Sequence, residues 1–309
     1  MVSVQDQPPE PPLVSVVVTC FNQQRVISEA IESVLKQTWP NIECIVVDDG
    51  SSDDSLLVLN VLATADDRLR VFSQQNAGVS AARNYGFGQA KGSFIKFLDG
   101  DDLLKPEIIA EQVRLLNEHP DAGVACCDHE FFNRSTGRIS HYPTPAIERF
   151  PLRQLLEDWF VRSTLPVHAA LYRRSVWRQN HLPFPTNYRG RCEDWVFLVQ
   201  IAIAGTQFVD ERKSLCLYCA EDQSFTVDQY RRNTSAIEAA RYIDGLLPDG
   251  TDQDFFRRNV ENTLRRCVQT EAPLILRGSW NWRFGYMLSY PVLRVWRWLR
   301  RFMFRLGRK

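Results

Sequence analysis

Three acidic groupings carry most of the chemistry available to this chain. Asp48-Asp49-Gly50-Ser51 and Asp99-Gly100-Asp101-Asp102 each close a short apolar run, and Glu193-Asp194 opens the segment Trp195-Val196-Phe197-Leu198. Carboxylates packed this closely repel one another unless a cation or hydrogen-bond donors lie among them. Asp-x-Asp spacing, completed by water and substrate phosphates, is a common way to hold Mg2+ or Mn2+. The Glu-Asp pair suits other work, as a general base for the proton of an incoming hydroxyl. Structural readings stand beside these. Asp-Gly is a frequent turn dipeptide, acids at strand ends cap helices, and negative charge at a helix N-terminus is favourable by itself. Two acidic clusters on one sheet edge shift the reading toward a metal-nucleotide site, with Asp49, Asp99 and Asp101 expected to converge on one cation.

Other ways of binding phosphate or metal are missing. A loop of the EF-hand type starting at Asp99 would put Leu103, Leu104 and Ala110 at its fifth, sixth and twelfth positions, which excludes it. There is no Gly-x-x-x-x-Gly-Lys-Ser/Thr loop, and no Gly-x-Gly-x-x-Gly follows the first apolar run, which turns instead at Thr19-Cys20-Phe21-Asn22. Diphosphate charge then has to be met by a metal and by cationic side chains. Arg83, after Asn76-Ala77-Gly78, is a candidate, with a surface or salt-bridge role as the simpler alternative. Cys216 and Cys219 have the spacing of zinc or redox pairs but no second pair nearby, so they read as structural. His168 reads as a polar core or surface histidine.

The elements that must position these groups follow from periodicity. Strands are predicted at Leu13 to Thr19, Ile42 to Val47, Leu69 to Phe72 and Phe94 to Leu98. A helix between the first two carries Ile27, Ala30, Ile31, Val34 and Leu35 on one face, and one capped by Ser52 or Asp53 carries Leu56, Leu59 and Leu62. Ser80 to Ala90 is a small-residue helix. This alternation is the signature of an α/β fold with a mostly parallel central sheet and helices on both faces. Further on, Glu107 to Leu116 reads as helix, Gly123 to Cys127 as strand, Cys192 to Ala204 as helix and Gln207 to Cys219 as paired strands. Ligands in such sheets gather at the carboxyl ends of the strands, where the first two acidic clusters lie.

Composition narrows the class. With 37 basic and 37 acidic residues in 309, balanced charge offers no general attraction for nucleic acid, and none is expected as partner. No stretch approaches the roughly 20 apolar residues of a membrane-spanning helix. Residues 1–12 are polar and proline-rich, read as a disordered lead-in without the pattern of a secretory signal. The eight cysteines are scattered and suggest a reduced, cytoplasmic setting.

Five stretches together resemble the family-2 glycosyltransferases of the GT-A fold: VSVVVTCFN at 14–22, AIESVLKQTWP at 30–40, VDDGSSD at 47–53, NAGVSAARN at 76–84 and FLDGDD at 97–102. Each is weak alone, whereas five in this order are specific. The likeness runs from Val14 to about Gly100 and resumes around Arg173 to Ser224. It implies a sugar-nucleotide transferase, with a UDP-sugar as the expected donor and Mn2+ or Mg2+ as cofactor. By this resemblance Thr19 and Phe21 line the nucleotide pocket, and Asp48 and Asp49 receive its base and ribose. Arg83 faces the nucleotide or its diphosphate, Asp99 contacts ribose or metal, Asp101 coordinates the ion with Asp102 in support, and Asp194 is the catalytic base of an inverting transfer.

One stretch departs from the family. Members often carry Tyr-x-x-His-x-x-Ser after the Glu-Asp helix, whereas this chain has YCAEDQS at 218–224, with Glu221 in place of histidine. Glu221 is kept as a candidate metal ligand, although a carboxylate there also repels diphosphate. A non-catalytic nucleotide- or glycan-binding module is the alternative that this substitution supports; a nucleotidyltransferase ranks lower for want of a glycine-rich first turn.

The expected organisation is a GT-A domain over 13–226, a helical extension over 227–287 and a basic amphipathic tail over 288–309. On a helix, Arg294, Arg297, Arg301, Arg305 and Arg308 form a stripe opposite Val295, Leu299, Phe302, Met303 and Leu306, with Trp296 and Trp298 on the flanks. That pattern suits a helix lying in an anionic membrane surface, and a helix docked on the domain or a dimer contact shares it. The expected location is the inner face of a membrane, and the expected acceptor a glycan or a lipid-linked glycan.

Overall fold

Strands form where β-branched residues run without interruption. In the computed structural model, which describes residues 10–141, 145–158, 165–180, 183–186, 192–220, 238–248, 250 and 252–259, the first such run is β1, Val14–Cys20. All seven of its residues are buried, as a central parallel strand requires. It lies between β2 (Ile42–Asp48) and β4 (Phe94–Asp99), and β2 pairs in turn with β3 (Leu69–Ser73), all in parallel. The helices α1 (Ile27–Leu35), α2 (Ser55–Ala63) and α3 (Val79–Gln89) connect them. Helix α1 buries Ile27, Ala30, Ile31 and Val34, the face its spacing predicts. Helix α3 lies close on the sheet because Gly86 has no side chain; a Cβ there would overlap Val17.

Beyond β4 the sheet becomes mixed. Its order is β3-β2-β1-β4-β8-β6-β9-β5, where β5 is Leu103–Leu104, β6 Ala122–Asn133, β8 Ala170–Arg173 and β9 Gln207–Ala220, and β7 (Arg138–Ser140) pairs with β6. Pairing is antiparallel for β4–β8, β8–β6 and β5–β9, and parallel again for β6–β9. Helices α4 (Ile108–Glu118), α5 (Leu152–Asp158), α6 (Arg174–Asn180) and α7 (Glu193–Ile203) flank this half. Rings of Phe97, Tyr172, Trp177, Phe184 and Phe197 form its aromatic core.

Three expectations are corrected. Gln207 to Cys219 is one strand rather than two. Bulges at Cys127/Asp128 and Asp128/His129 let the charged stretch Asp210 to Lys213 continue the strand against β6. Strand β6 runs past Cys127 to Asn133, because β9 and β7 pair with its polar end. Helix α2 begins at Ser55 with Asp54 as N-cap, while Asp53 accepts the Ser55 N–H at 3.0 Å from outside the helix.

Segments 238–246 and 252–259 are helical, and Ala239, Ile243 and Phe256 join the main core. The expected boundary at 226, Glu221 and the tail 288–309 lie outside the described residues. Among the described residues no helix is long and apolar enough to cross a membrane.

Candidate active site

At the carboxyl ends of β1 and β2, two loops are laced together. Asn22 adopts φ +53°, donates its N–H to Ser51 Oγ at 2.9 Å and accepts Ser52 N–H on Oδ1 at 2.8 Å. Asp49 N–H donates to Cys20 O at 2.8 Å. The lacing leaves Phe21 48% exposed at the tip of β1, while Thr19 is buried behind it.

Asp48 and Asp49 face different partners. Asp48 accepts Ser73 Oγ–H at 3.1 Å, tying the ends of β2 and β3. Asp49 accepts Gln74 Nε2 at 2.7 Å, Ala77 N–H at 2.9 Å and Gly78 N–H at 2.8 Å. It is therefore the clamp of the Asn76-Ala77-Gly78 turn, which leads into α3 through Gly78 at φ +91°. The expectation that Asp49, Asp99 and Asp101 share one cation is corrected here. Among the described residues no three His, Cys, Asp or Glu side chains form a cation cage, and Asp49 spends its oxygens on the turn.

The tip of β4 carries Asp99, which accepts Thr19 Oγ1–H at 3.0 Å and Arg83 Nη2 at 2.7 Å. Gly100 permits the close turn that follows: a Cβ there would sit 2.8 Å from Thr19 O. Arg83 is wholly buried, its Nη1 donates to Glu193 Oε1 at 3.0 Å, and its guanidinium stands 5.1 Å from the Phe184 ring. Asn84 holds Phe184 in place through bonds in both directions, 2.9 and 2.8 Å. Arg83 is thus a salt-bridge residue, but a buried one that joins β4 to the start of α7. Burial alone would lower its proton affinity, yet Asp99 and Glu193 together raise it above the ordinary arginine value. Burial would likewise lift Asp99, but Arg83 and the Thr19 hydroxyl hold it below the usual carboxylate range.

Two other carboxyls go the opposite way. Asp101 is pushed up to about 7, by burial first and then by the charges of Asp102 and Asp99. Asp194 is also pushed up to about 7, by burial and by Glu193, against the pull of Arg83. A carboxyl near 7 at a helix start, partly open to solvent, has the proton affinity a general base needs. The β4 tip is oxygen-rich; Arg83 Nη2 reaches both oxygens of Asp99, at 2.7 and 3.0 Å, and Arg134 Nη2 donates to Asp101 O at 2.8 Å, which leaves the side chain of Asp101 as the leading cation ligand. The tip fits a hard divalent ion held by one or two carboxylates and completed by water and substrate phosphates.

Asp102 accepts Cys219 N–H at 2.7 Å and faces His168, which is fully buried and so a core histidine. Cys216 and Cys219 are buried free thiols in β9, with Cys219 raised to about 12 chiefly by burial, in keeping with a structural role. Sequence reasoning missed Glu193 as the partner of Arg83, although its place beside Asp194 was visible. It also missed Phe184, for which nothing in the local pattern gives a signal.

A family model described as "Glycosyl transferase family 2" matches residues 15–179. The chain is 34% identical over 273 residues to the glycosyltransferase GlyG of Streptococcus pneumoniae, covering 84% of this chain and 88% of GlyG. It is 32% identical to the putative glycosyltransferase EpsH of Bacillus subtilis, over 60% of this chain but only 53% of EpsH. Among solved structures, S. aureus TarS in complex with UDP-GlcNAc superposes with TM-score 0.63 at 22% identity, covering 86% of this chain and 76% of that one. The mannosyltransferase PcManGT of Pyrobaculum calidifontis, in complex with GDP-Man and Mn2+, gives 0.62 at 16% identity over 92% and 83%. At these identities the structures share the GT-A fold with this chain.

Proposed function

Starting from the fact that this chain belongs to glycosyl transferase family 2, we propose that it moves a sugar from a nucleoside-diphosphate donor to an acceptor hydroxyl with inversion at the anomeric carbon. The donor is a UDP-sugar by preference, and Mn2+ or Mg2+ is the cofactor. The acceptor is a glycan or lipid-linked glycan of the cell surface. One observation carries the reading: Arg83 bridges Asp99 at the tip of β4 to Glu193 beside Asp194, so the donor-side acids and the base share one end of the sheet.

Phe21, exposed at the tip of β1, offers a face for the nucleotide base, with Thr19, Asp48 and Asp49 shaping the wall behind it. Asp101 would hold the cation, joined by Asp99 through the remaining lone pair of Oδ2, whose other partner is Arg83. Bound there, a divalent ion would supply Lewis-acid relief of the charge that grows on the departing diphosphate. Arg83 adds fixed positive charge behind Asp99 rather than a mobile clamp. Asp194 takes the acceptor proton as the hydroxyl attacks, and Glu193 keeps its proton affinity high enough for the task. Glu221 is a further candidate ligand to the ion.

The arginine stripe of residues 288–309 supports a peripheral location on the inner membrane face, close to a lipid-linked acceptor. The test of the whole reading is a thermal-shift screen of sugar nucleotides with and without Mn2+. A ligand that binds the native state must raise its melting point. A UDP- or GDP-sugar that stabilises only when Mn2+ is present is the expected result; equal stabilisation in EDTA counts against the cation's role.

A further inference from the structure

His168 lies outside the residues assigned above, and its surroundings are unusual. It sits on a single 3-10 turn, Val167–Ala169, with no exposed surface. The turn is fixed from below: Ala169 O accepts Gln112 Nε2 at 2.8 Å, and Gln112 Oε1 accepts the buried Lys96 Nζ at 2.7 Å. The imidazole therefore has little freedom to move away from what it faces. Its ring packs near that of Tyr218, at 6.4 Å and 24°.

What it faces is Asp102. His168 Nδ1 stands 3.0 Å from Asp102 Oδ2, short of the alignment of a full hydrogen bond, and Nε2 has no hydrogen-bond partner among the described residues. Buried polar atoms are nearly always satisfied, so two bare nitrogens in one ring call for an explanation. Asp102 supplies it. Its Oδ1 accepts Cys219 N–H from β9 at 2.7 Å, and its own N–H donates to Asp99 O at 3.0 Å. With His168 against the second oxygen, Asp102 is held from three directions, and the turn Asp99 to Asp102 cannot rotate freely.

We propose that His168 is a positioning residue: paired with Asp102, it fixes the turn that carries Asp101 and so sets how tightly this turn takes a divalent ion together with a nucleotide. The inference rests on the metal-dependent reading of the site given above. Partners that orient metal-ligating side chains from outside the coordination shell typically change metal affinity by about 10- to 100-fold when removed.

The test uses the full chain and titration calorimetry with whichever of UDP and GDP the wild type binds, in Mn2+ and in EDTA. Three variants separate pairing from packing. His168→Ala removes both, His168→Leu keeps bulk without an N–H, and His168→Asn keeps a donor near the place of Nδ1. Weakening of about tenfold or more in Mn2+ for Ala and Leu, no change in EDTA, and recovery of most of the affinity in Asn is the expected pattern. Should Ala fail to fold, the Leu and Asn pair decides alone. Wild-type affinity in the Leu variant, or equal weakening in Leu and Asn, overturns the proposal. A wild-type chain that binds neither nucleotide any better in Mn2+ than in EDTA overturns the metal-dependent reading beneath it, a failure visible before any variant is made.

Discussion

Arg83 Nη1 meets Glu193 Oε1 at 3.0 Å across 110 residues of sequence, and this contact joins α3 to the start of α7, the helix that bears Asp194. The same guanidinium holds Asp99 through Nη2. Neither carboxylate has another cation within ion-pair distance among the described residues.

Removing the arginine exposes that dependence. Arg83→Leu leaves Asp99 and Glu193 without their counter-charge. Loss of one partner from a buried pair costs about 3–5 kcal/mol. A third of the Asp99 side chain reaches solvent, so the lower end, about 3 kcal/mol, is the expectation, read from the urea midpoint. A change within about 0.5 kcal/mol would mean the bridge is incidental.

Glu193→Gln keeps the shape of the side chain and removes its charge. Glu193 is the second cause, after burial, of the raised Asp194 pKa of about 7. Without it the Asp194 carboxyl ionises more readily. The base works deprotonated, so the acid limb of the kcat/KM profile moves to lower pH, and an unmoved limb contradicts the assignment.

Asp194→Asn cannot accept a proton. Transfer is expected to fall by about 10²- to 10⁴-fold, with donor affinity preserved in calorimetry. A matching loss of binding would place Asp194 in the donor site instead. A chain with no transfer to lose would return attention to a binding role.

Asp101 is raised to about 7 before any ion arrives, and a carboxylate must shed its proton to become a ligand. Nucleotide affinity in Mn2+ should therefore weaken as pH falls through 7 toward 6, while affinity in EDTA stays level. Asp101→Ala should abolish the Mn2+ enhancement altogether. Retention of it would move the ion elsewhere.

Deleting residues 288–309 tests the tail. Sedimentation with vesicles rich in anionic lipid should be lost, and nucleotide binding retained. Vesicle binding that survives the deletion assigns the surface to another part of the chain.

Much of this protein is a local property of its sequence. The β-branched run Val14–Cys20 and the apolar spacing of α1 specify a buried strand and a one-faced helix wherever they occur. Acids that follow β2 and β4 fall on one sheet edge because parallel strands end together. Where the local signal misled, longer-range pairing prevailed: the bulges opposite β6 let Asp210 to Lys213 continue a strand that their charges argue against. The task of each carboxylate was likewise decided only in three dimensions. Asp49 closes a turn, Asp99 is offset by Arg83, Glu193 takes the other side of that arginine, and Asp102 meets His168. A hydrogen bond depends on a donor arriving within about 3 Å on a suitable line. Partners drawn from distant elements reach that geometry only after the sheet has assembled, and no periodicity along the chain encodes it.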